Sequence, residues 1–362
     1  MILIPKMHRL CLVEILSVAL VLAACERATP PAHEGAVATG GSGSPSAAPL
    51  IATVSIDGSS TMLPISTAVA EAFHEVNTGV TISVHESGTG GGMKKFCSGQ
   101  LDIAAASRPI NAAEIAECRA AHVEFIELPV AFDSLTVVVN GGNTFVDCLT
   151  VKELRTMWQP EAEGKIGRWN QIRSSFPDRP LALFGPGTES GTFDYFTLAI
   201  VGTQSASRRD YTKSEDDEVI VKGVASDPGA LGYFGYAYYE AHKDVLRAVS
   251  IDNGQGCISP RAATVADGTY QPLSRPMFVY VNASAAARPE VDAFAHFYIA
   301  PENARYVHDV GYMPLTTATL LTVARRLDGR VTGSIFGGRG SIVGLTADMF
   351  QDEDRLKSAL VR

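Results

Sequence analysis

Residues 51–110 read IATVSIDGSSTMLPISTAVAEAFHEVNTGVTISVHESGTGGGMKKFCSGQLDIAAASRPI, and this stretch decides the fold class. Residues 51–56 form a β-branched run of strand type, and 66–76 place Val69, Ala72, Phe73 and Val76 on one helical face. A second strand follows at 80–85, a helix at 92–98, a short apolar strand at 102–106 and a helix at about 111–121. Strands alternating with helices at this spacing predict an α/β fold built on an open, parallel sheet.

Outward from this stretch, residues 123–130 and 134–140 read as two extended segments. After Asn140-Gly141-Gly142-Asn143 a second α/β unit begins, with a helix at 151–157 and a strand at 181–184. A further strand at 276–281 (PMFVYV) precedes helices at 289–299 and 313–328. The expected layout is two α/β domains, with the chain crossing between them near 135–140 and again near 272–282. Domain I is placed at 51–137 plus 276–362, and domain II at 138–275.

Composition narrows the function classes. The chain has 362 residues, 46% of them hydrophobic, which is ample for packed cores and excludes a disordered chain. The formal charge of −9 argues against nucleic acid as a partner, because phosphate backbones recruit basic surfaces. Lys6, His8 and Arg9 precede an apolar stretch at 10–24, which Glu14 interrupts and Leu22-Ala23-Ala24-Cys25 closes. That is the build of an export signal, too short for a membrane span. Its last four residues resemble the lipobox of bacterial lipoproteins, which implies cleavage after residue 24 and lipidation of Cys25. Residues 25–49, rich in Gly, Ser, Pro and Ala, predict a flexible tether. The expected location is therefore the periplasm or outer cell surface, with the protein held to a membrane by its lipid.

Cysteine use agrees with export. Apart from Cys11 and Cys25 there are Cys97, Cys118, Cys148 and Cys257, an even number that allows three pairings or four free thiols. Cys97–Cys118 and Cys148–Cys257 are favoured, since each pair then falls within one domain.

The chemistry concentrates in four turns that follow strands. They are Asp57-Gly58-Ser59-Ser60-Thr61, Ser87-Gly88-Thr89-Gly90-Gly91-Gly92, Ser107-Arg108-Pro109, and residues 185–192, GPGTESGT. Each offers backbone N–H groups and hydroxyls at the start of a helix, the outline of an anion site. At the carboxyl ends of strands in an open sheet, such turns lie where ligands bind. The plainer reading of any single turn is helix capping, worth about 1 kcal/mol. Four of them together favour a shared ligand. None is a nucleotide loop, because residues 185–192 lack the G-K-[ST] ending and 88–92 lack G-x-G-x-x-G. Lys94 and Lys95 read as solvated helix residues, and the acidic run at 215–218 as a solvated helix start near the cleft.

The segments DGSST, SGTGGGMKKF, GQLDIAAASRPI and GPGTESGTF, with PGALGYFGYAYY at 228–239 and YQPLSRPMFVYVN at 270–282, together resemble the substrate-binding protein of the phosphate-specific ABC transporter, in an Ala-Ser-Arg subgroup. The resemblance covers about residues 51–330. It implies a two-lobed periplasmic-binding-protein fold of type II, closing by a two-strand hinge on inorganic phosphate and delivering it to a membrane permease. Carried over by position, Ser60, Thr61, Thr89, Ser190, Gly191 and Thr192 supply the donors. Ser107 stands where well-known members have a proton-accepting aspartate, and Pro186 where an arginine is expected. Arg108 is then expected to be the sole cation, and Glu189 to replace the missing proton acceptor or else to face solvent. The resemblance implies no cofactor, no metal and a monomer.

Three alternatives stay open at this point. They are a phosphatase-type enzyme on the same fold, a binder of another tetrahedral oxyanion, and an extracellular scaffold. An enzyme would need a nucleophile with its base, or a metal cluster. The eight histidines show neither H-x-H nor H-E-x-x-H spacing, so a binding protein without enzymatic activity is expected.

Overall fold

The computed structural model describes residues 52–351 and residue 356. The export signal, Cys25 and the tether lie outside the described residues. In the first half of the chain, β1 (Ala52–Gly58), α1 (Leu63–Val76), β2 (Val80–Val84), α2 (Gly88–Cys97), β3 (Ile103–Ala106) and α3 (Ala112–Ala120) lead into β4 (Phe125–Asn140). There follow β5 (Cys148–Thr150), α4 (Val151–Trp158), β6 (Ala182–Pro186), α5 (Gly191–Phe196), β7 (Thr212–Ser214), α6 (Asp217–Ser226), β8 (Ala230–Gly235) and α7 (Tyr236–Ala241). Next come β9 (Leu246–Ala248), β10 (Ser250–Asp252), β11 (Cys257–Ile258), α8 (Ala262–Ala266) and β12 (Ser274–Asn282). The last elements are α9 (Pro289–Ile299), α10 (Ala304–Asp309), β13 (Met313–Pro314) and α11 (Thr317–Asp328).

The long sheet runs in the order β2-β1-β3-β12-β4-β8-β6-β7. Its two flanks are parallel, β2-β1-β3 and β8-β6-β7. Between them lies an antiparallel pair, β12 against β4, which the sequence pattern did not distinguish from the rest. The partner of β4 changes along its length. Phe125–Ser134 pairs with β12, and Leu135–Val139 pairs with β8. β4 and β12 thus lie in the middle of the sheet, between its two parallel flanks, and β4 passes from one flank to the other at Ser134–Leu135, the join of the two halves, where Asp133 and Arg275 also face each other. A separate small sheet orders β11-β10-β5.

The apolar pattern explains this order. β3, β8 and β12 are buried at every position, and β4 at all but Asn140, as strands covered on both faces must be. One apolar cluster joins Val54, Ile56, Val69 and Phe73 to Val279, Phe294 and Leu327 beside the β2-β1-β3 flank. Another runs from Met93 and Phe96 through Phe132 and Val137 to Trp158, Phe196 and Tyr233, crossing the join.

Several expectations shift. The two extended segments at 123–130 and 134–140 are one strand. Asp133 and Ser134 break the apolar run, but Asp133 faces Arg275 across the ladder. The helix expected at 92–98 already begins at Gly88, so Thr89 lies in its first turn. The helix at 313–328 starts only at Thr317, after the short strand Met313–Pro314. Cys97 pairs with Cys118 and Cys148 with Cys257, the favoured pairing, at S–S 1.99 and 2.02 Å. No described helix is long and apolar enough to cross a membrane.

Candidate functional site

The first turn leaves β1 at Gly58, whose φ of +145° and contact with the Ala105 carbonyl exclude a side chain: a Cβ there would lie 2.0 Å from that oxygen. A 3-10 turn at Ser60–Met62 then feeds α1, with Pro64 in the first helical turn. Ser60 and Thr61 are buried. Their carbonyls accept bonds from Tyr238 (3.1 Å) and Tyr312 (2.5 Å), which leaves the hydroxyls for other partners.

Those hydroxyls reach the opposite half. Ser60 donates to Asp217 at 3.0 Å, and Thr61 Oγ1 meets Thr192 Oγ1 at 3.0 Å. Thr89, from the second turn, lies 3.2 Å from the Ser107 hydroxyl of the third and accepts from the Ser107 amide. Ser190 caps α5 by accepting from the Thr192 amide, and Gly191 packs directly on Thr89 and Ser107. Ser60, Thr61, Thr89, Ser107, Ser190, Gly191 and Thr192 thus converge, all buried, from both halves.

Arg108 is buried too, but not as a free cation. Nε donates to Asp194 at 2.7 Å, and the two terminal nitrogens hold Glu114 in a fork at 2.8 and 2.7 Å. Burial alone lowers its pKa, yet the Glu114 and Asp194 carboxylates outweigh that, so it stays above the ordinary value. Glu114 belongs to the capping box of α3 and is itself fixed by Asn111. Arg108 is also not the sole cation. Arg275, on β12, is fully buried and donates to Thr61 (3.2 Å), Thr192 (2.8 Å) and Asp133 (3.0 Å).

Glu189 takes the second of its two expected places, facing solvent rather than the site. Its side chain is 41% exposed and its carboxylate is bonded to Lys94 at 2.8 Å, while its backbone carbonyl accepts from the Gly90 amide at 2.8 Å. With Ser190 as the cap of α5 pointing inward, the preceding side chain points out. Lys94 is solvated as expected, with 64% of its side chain exposed, and also makes this ion pair across the join, while Lys95 bonds Asp57. The acidic run is split as well. Asp217 is 1% exposed and its carboxyl is pushed up to about 7, chiefly by burial. The Ser60 bond and Arg275 pull in the opposite direction.

Sequence reasoning missed Arg275, Asp133 and Asp194. Arg275 had a visible signal, a guanidinium opening an otherwise apolar strand. The acids are 86 to 142 residues from the arginines they hold across the join, and no local pattern marks them.

Residues 43–302 match the family model of the PBP superfamily domain. The chain is 48% identical over 295 residues to protein SphX of Synechocystis, covering 81% of this chain and 87% of that protein. It is 32% identical over 275 residues to the phosphate-binding protein PstS of Staphylococcus saprophyticus, covering 75% and 83%. Among solved structures, a possible phosphate binding protein from Planctomyces limnophilus superposes with a TM-score of 0.58 at 42% identity, covering 78% of this chain and 99% of that one.

Proposed function

Because the chain belongs to the PstS-like proteins of the PBP superfamily, we propose that it binds inorganic phosphate between its two halves and hands it to an ABC-transporter permease for import. The observation that carries this reading is the meeting of Thr61 with Thr192 and of Thr89 with Ser107, buried hydroxyls from both halves around a guanidinium. Neutral hydroxyls can replace the hydration shell of an oxyanion, and a closed, dry site strengthens each bond. Calorimetric titration of ligand-stripped protein with phosphate, arsenate and sulfate tests it. Phosphate should give heat at micromolar concentration, and silence would refute the reading.

The remaining parts of the reading are domain I at 51–137 plus 276–362, domain II at 138–275, and a monomer tethered through lipidated Cys25. The change of partner along β4, from β12 to β8 at Leu135, supports the first of these boundaries.

The proton-accepting role moves from Glu189 to Asp217, the buried carboxyl that touches the first turn. Ionised Asp217 can accept the proton of monohydrogen phosphate, whereas sulfate has no proton to offer and is repelled. With the carboxyl titrating near 7, rejection of sulfate should strengthen as pH rises from about 6 to about 8. Asp217→Asn should relax that rejection at the higher pH, and Glu189→Gln should not. Titrations with sulfate at both pH values decide, and an unchanged Asp217→Asn profile refutes the assignment.

Stability carries the same signature. Asp217 and Glu127, the latter held by Ser334, Ile335 and Tyr280, are both pushed up to about 7 by burial. A carboxyl raised in the folded state stabilises it at low pH, and that stability is lost as pH climbs through the folded pKa. The melting temperature of the ligand-free protein should therefore fall between about pH 5 and 7.5, with part of the slope removed in Asp217→Asn.

A further inference from the structure

Two guanidinium groups are buried at the join, and they differ in what they have left to give. Arg108 has each nitrogen bonded and two carboxylates, Glu114 and Asp194, against its single charge. Arg275 has one carboxylate, Asp133. Its Nη2, with two N–H bonds to offer, faces three oxygens: Thr61 Oγ1, Thr192 Oγ1 and Asp133 Oδ2. Its Nη1, with two more, is buried and has no partner among the described residues. One nitrogen is oversubscribed while its neighbour is idle, an arrangement that costs free energy unless another acceptor arrives.

Position supplies the second argument. Arg275 stands on β12, opposite Asp133 on β4, so the two strands that join the halves also hold this pair. Its hydroxyl partners come one from each half, Thr61 from the turn after β1 and Thr192 from α5. A ligand placed there would touch the arginine only when both hydroxyls are gathered around it.

We propose that Arg275 is a direct ligand of the bound anion, offering the idle Nη1 and a freed Nη2 hydrogen as a fork to two oxygens. This rests on the phosphate reading above. Thr61 and Thr192, no longer needed as acceptors for Nη2, turn their hydroxyl hydrogens to the anion. The planar fork of arginine suits two oxygens of a tetrahedral anion, and a lysine would offer charge without that geometry.

The test is phosphate titration of wild type, Arg275→Lys and Arg275→Gln after stripping of ligand, with guanidinium NMR of ¹⁵N-arginine-labelled wild-type protein. The Gln variant should bind about 100-fold more weakly and the Lys variant at least about 10-fold, since a buried charge contact is lost in one and its geometry in the other. The Lys variant keeps the charge opposite Asp133 and should melt close to wild type without phosphate, which separates a ligand role from a structural one. On addition of phosphate to wild type, an arginine Nη–H signal absent from Arg275→Lys should shift and sharpen. Wild type that binds phosphate while both variants bind within about threefold of it overturns this assignment and leaves the phosphate reading intact. Arg275 resonances that stay unmoved at saturating phosphate overturn it as well, even should the Gln variant fail to fold. Wild type that binds no phosphate overturns the reading itself, and the assignment with it.

Discussion

Gly191→Ala is expected to weaken phosphate binding by about 10- to 100-fold, the affinity equivalent of an overpacking cost of roughly 1–3 kcal/mol. A Cβ on Gly191 would lie 2.5 Å from the Ser107 hydroxyl and 2.6 Å from that of Thr89, both on the opposite half. Those atoms are the donors themselves, held by each other and by the Ser107 amide, so neither can move aside without leaving its place. The clash therefore arises when the halves meet, and not within either one. Gly191 lies in the first turn of α5, where alanine is at least as good a helix former. The melting temperature of the ligand-free protein should drop by no more than a few degrees, while the stabilisation that phosphate adds is largely lost. Thermal melts with and without phosphate, beside calorimetry, read both. An alanine variant that binds like wild type would mean that the halves do not close on Gly191.

Part of this site could be read in the chain, and the reason is local. A hydroxyl or glycine directly after a strand has few uses besides capping and ligand contact, so Ser60, Thr61, Thr89, Ser107 and Ser190 stood out without any knowledge of the fold. What surrounds them did not. The helix phase at α5 decides that Ser190 faces in and Glu189 out, and that phase is set by where the helix begins, at Gly191, which a run of Gly, Ser and Thr does not fix. β8 was not recognised as a strand because Gly232 and Gly235 dilute its apolar run. Gly232 is required by packing, since a Cβ there would come within 2.7 Å of Val224 on α6. The strand is thin where the helix presses on it, and no periodicity rule records that. The charged residues were the hardest to read. Asp133 and Arg275 are 142 positions apart, and each alone reads as an interruption of a strand. Together they form one ladder rung.

That rung carries the second large effect, this time on the fold. Asp133→Ala should destabilise the protein by about 3–5 kcal/mol, because it leaves the Arg275 guanidinium buried without its counter-charge. Both side chains are fully buried, so neither water nor salt can make up the loss. Burial already pushes the Asp133 carboxyl above its ordinary pKa, and the Arg275 charge and bonds counter that rise. The carboxylate thus depends on the arginine as much as the arginine depends on it. Removing both charges should cost far less than removing one, since a buried ion pair replaced by apolar groups of similar size is often close to neutral. Asp133→Leu combined with Arg275→Met should therefore recover most of the melting temperature that Asp133→Ala loses, yet bind phosphate no better than Arg275→Gln. Denaturant melts give the first comparison and titration gives the second. A double variant that regained both stability and phosphate affinity would show the pair to be scaffold alone. One that regained stability and stayed unable to bind would separate the two duties of Arg275, joining the halves and meeting the anion.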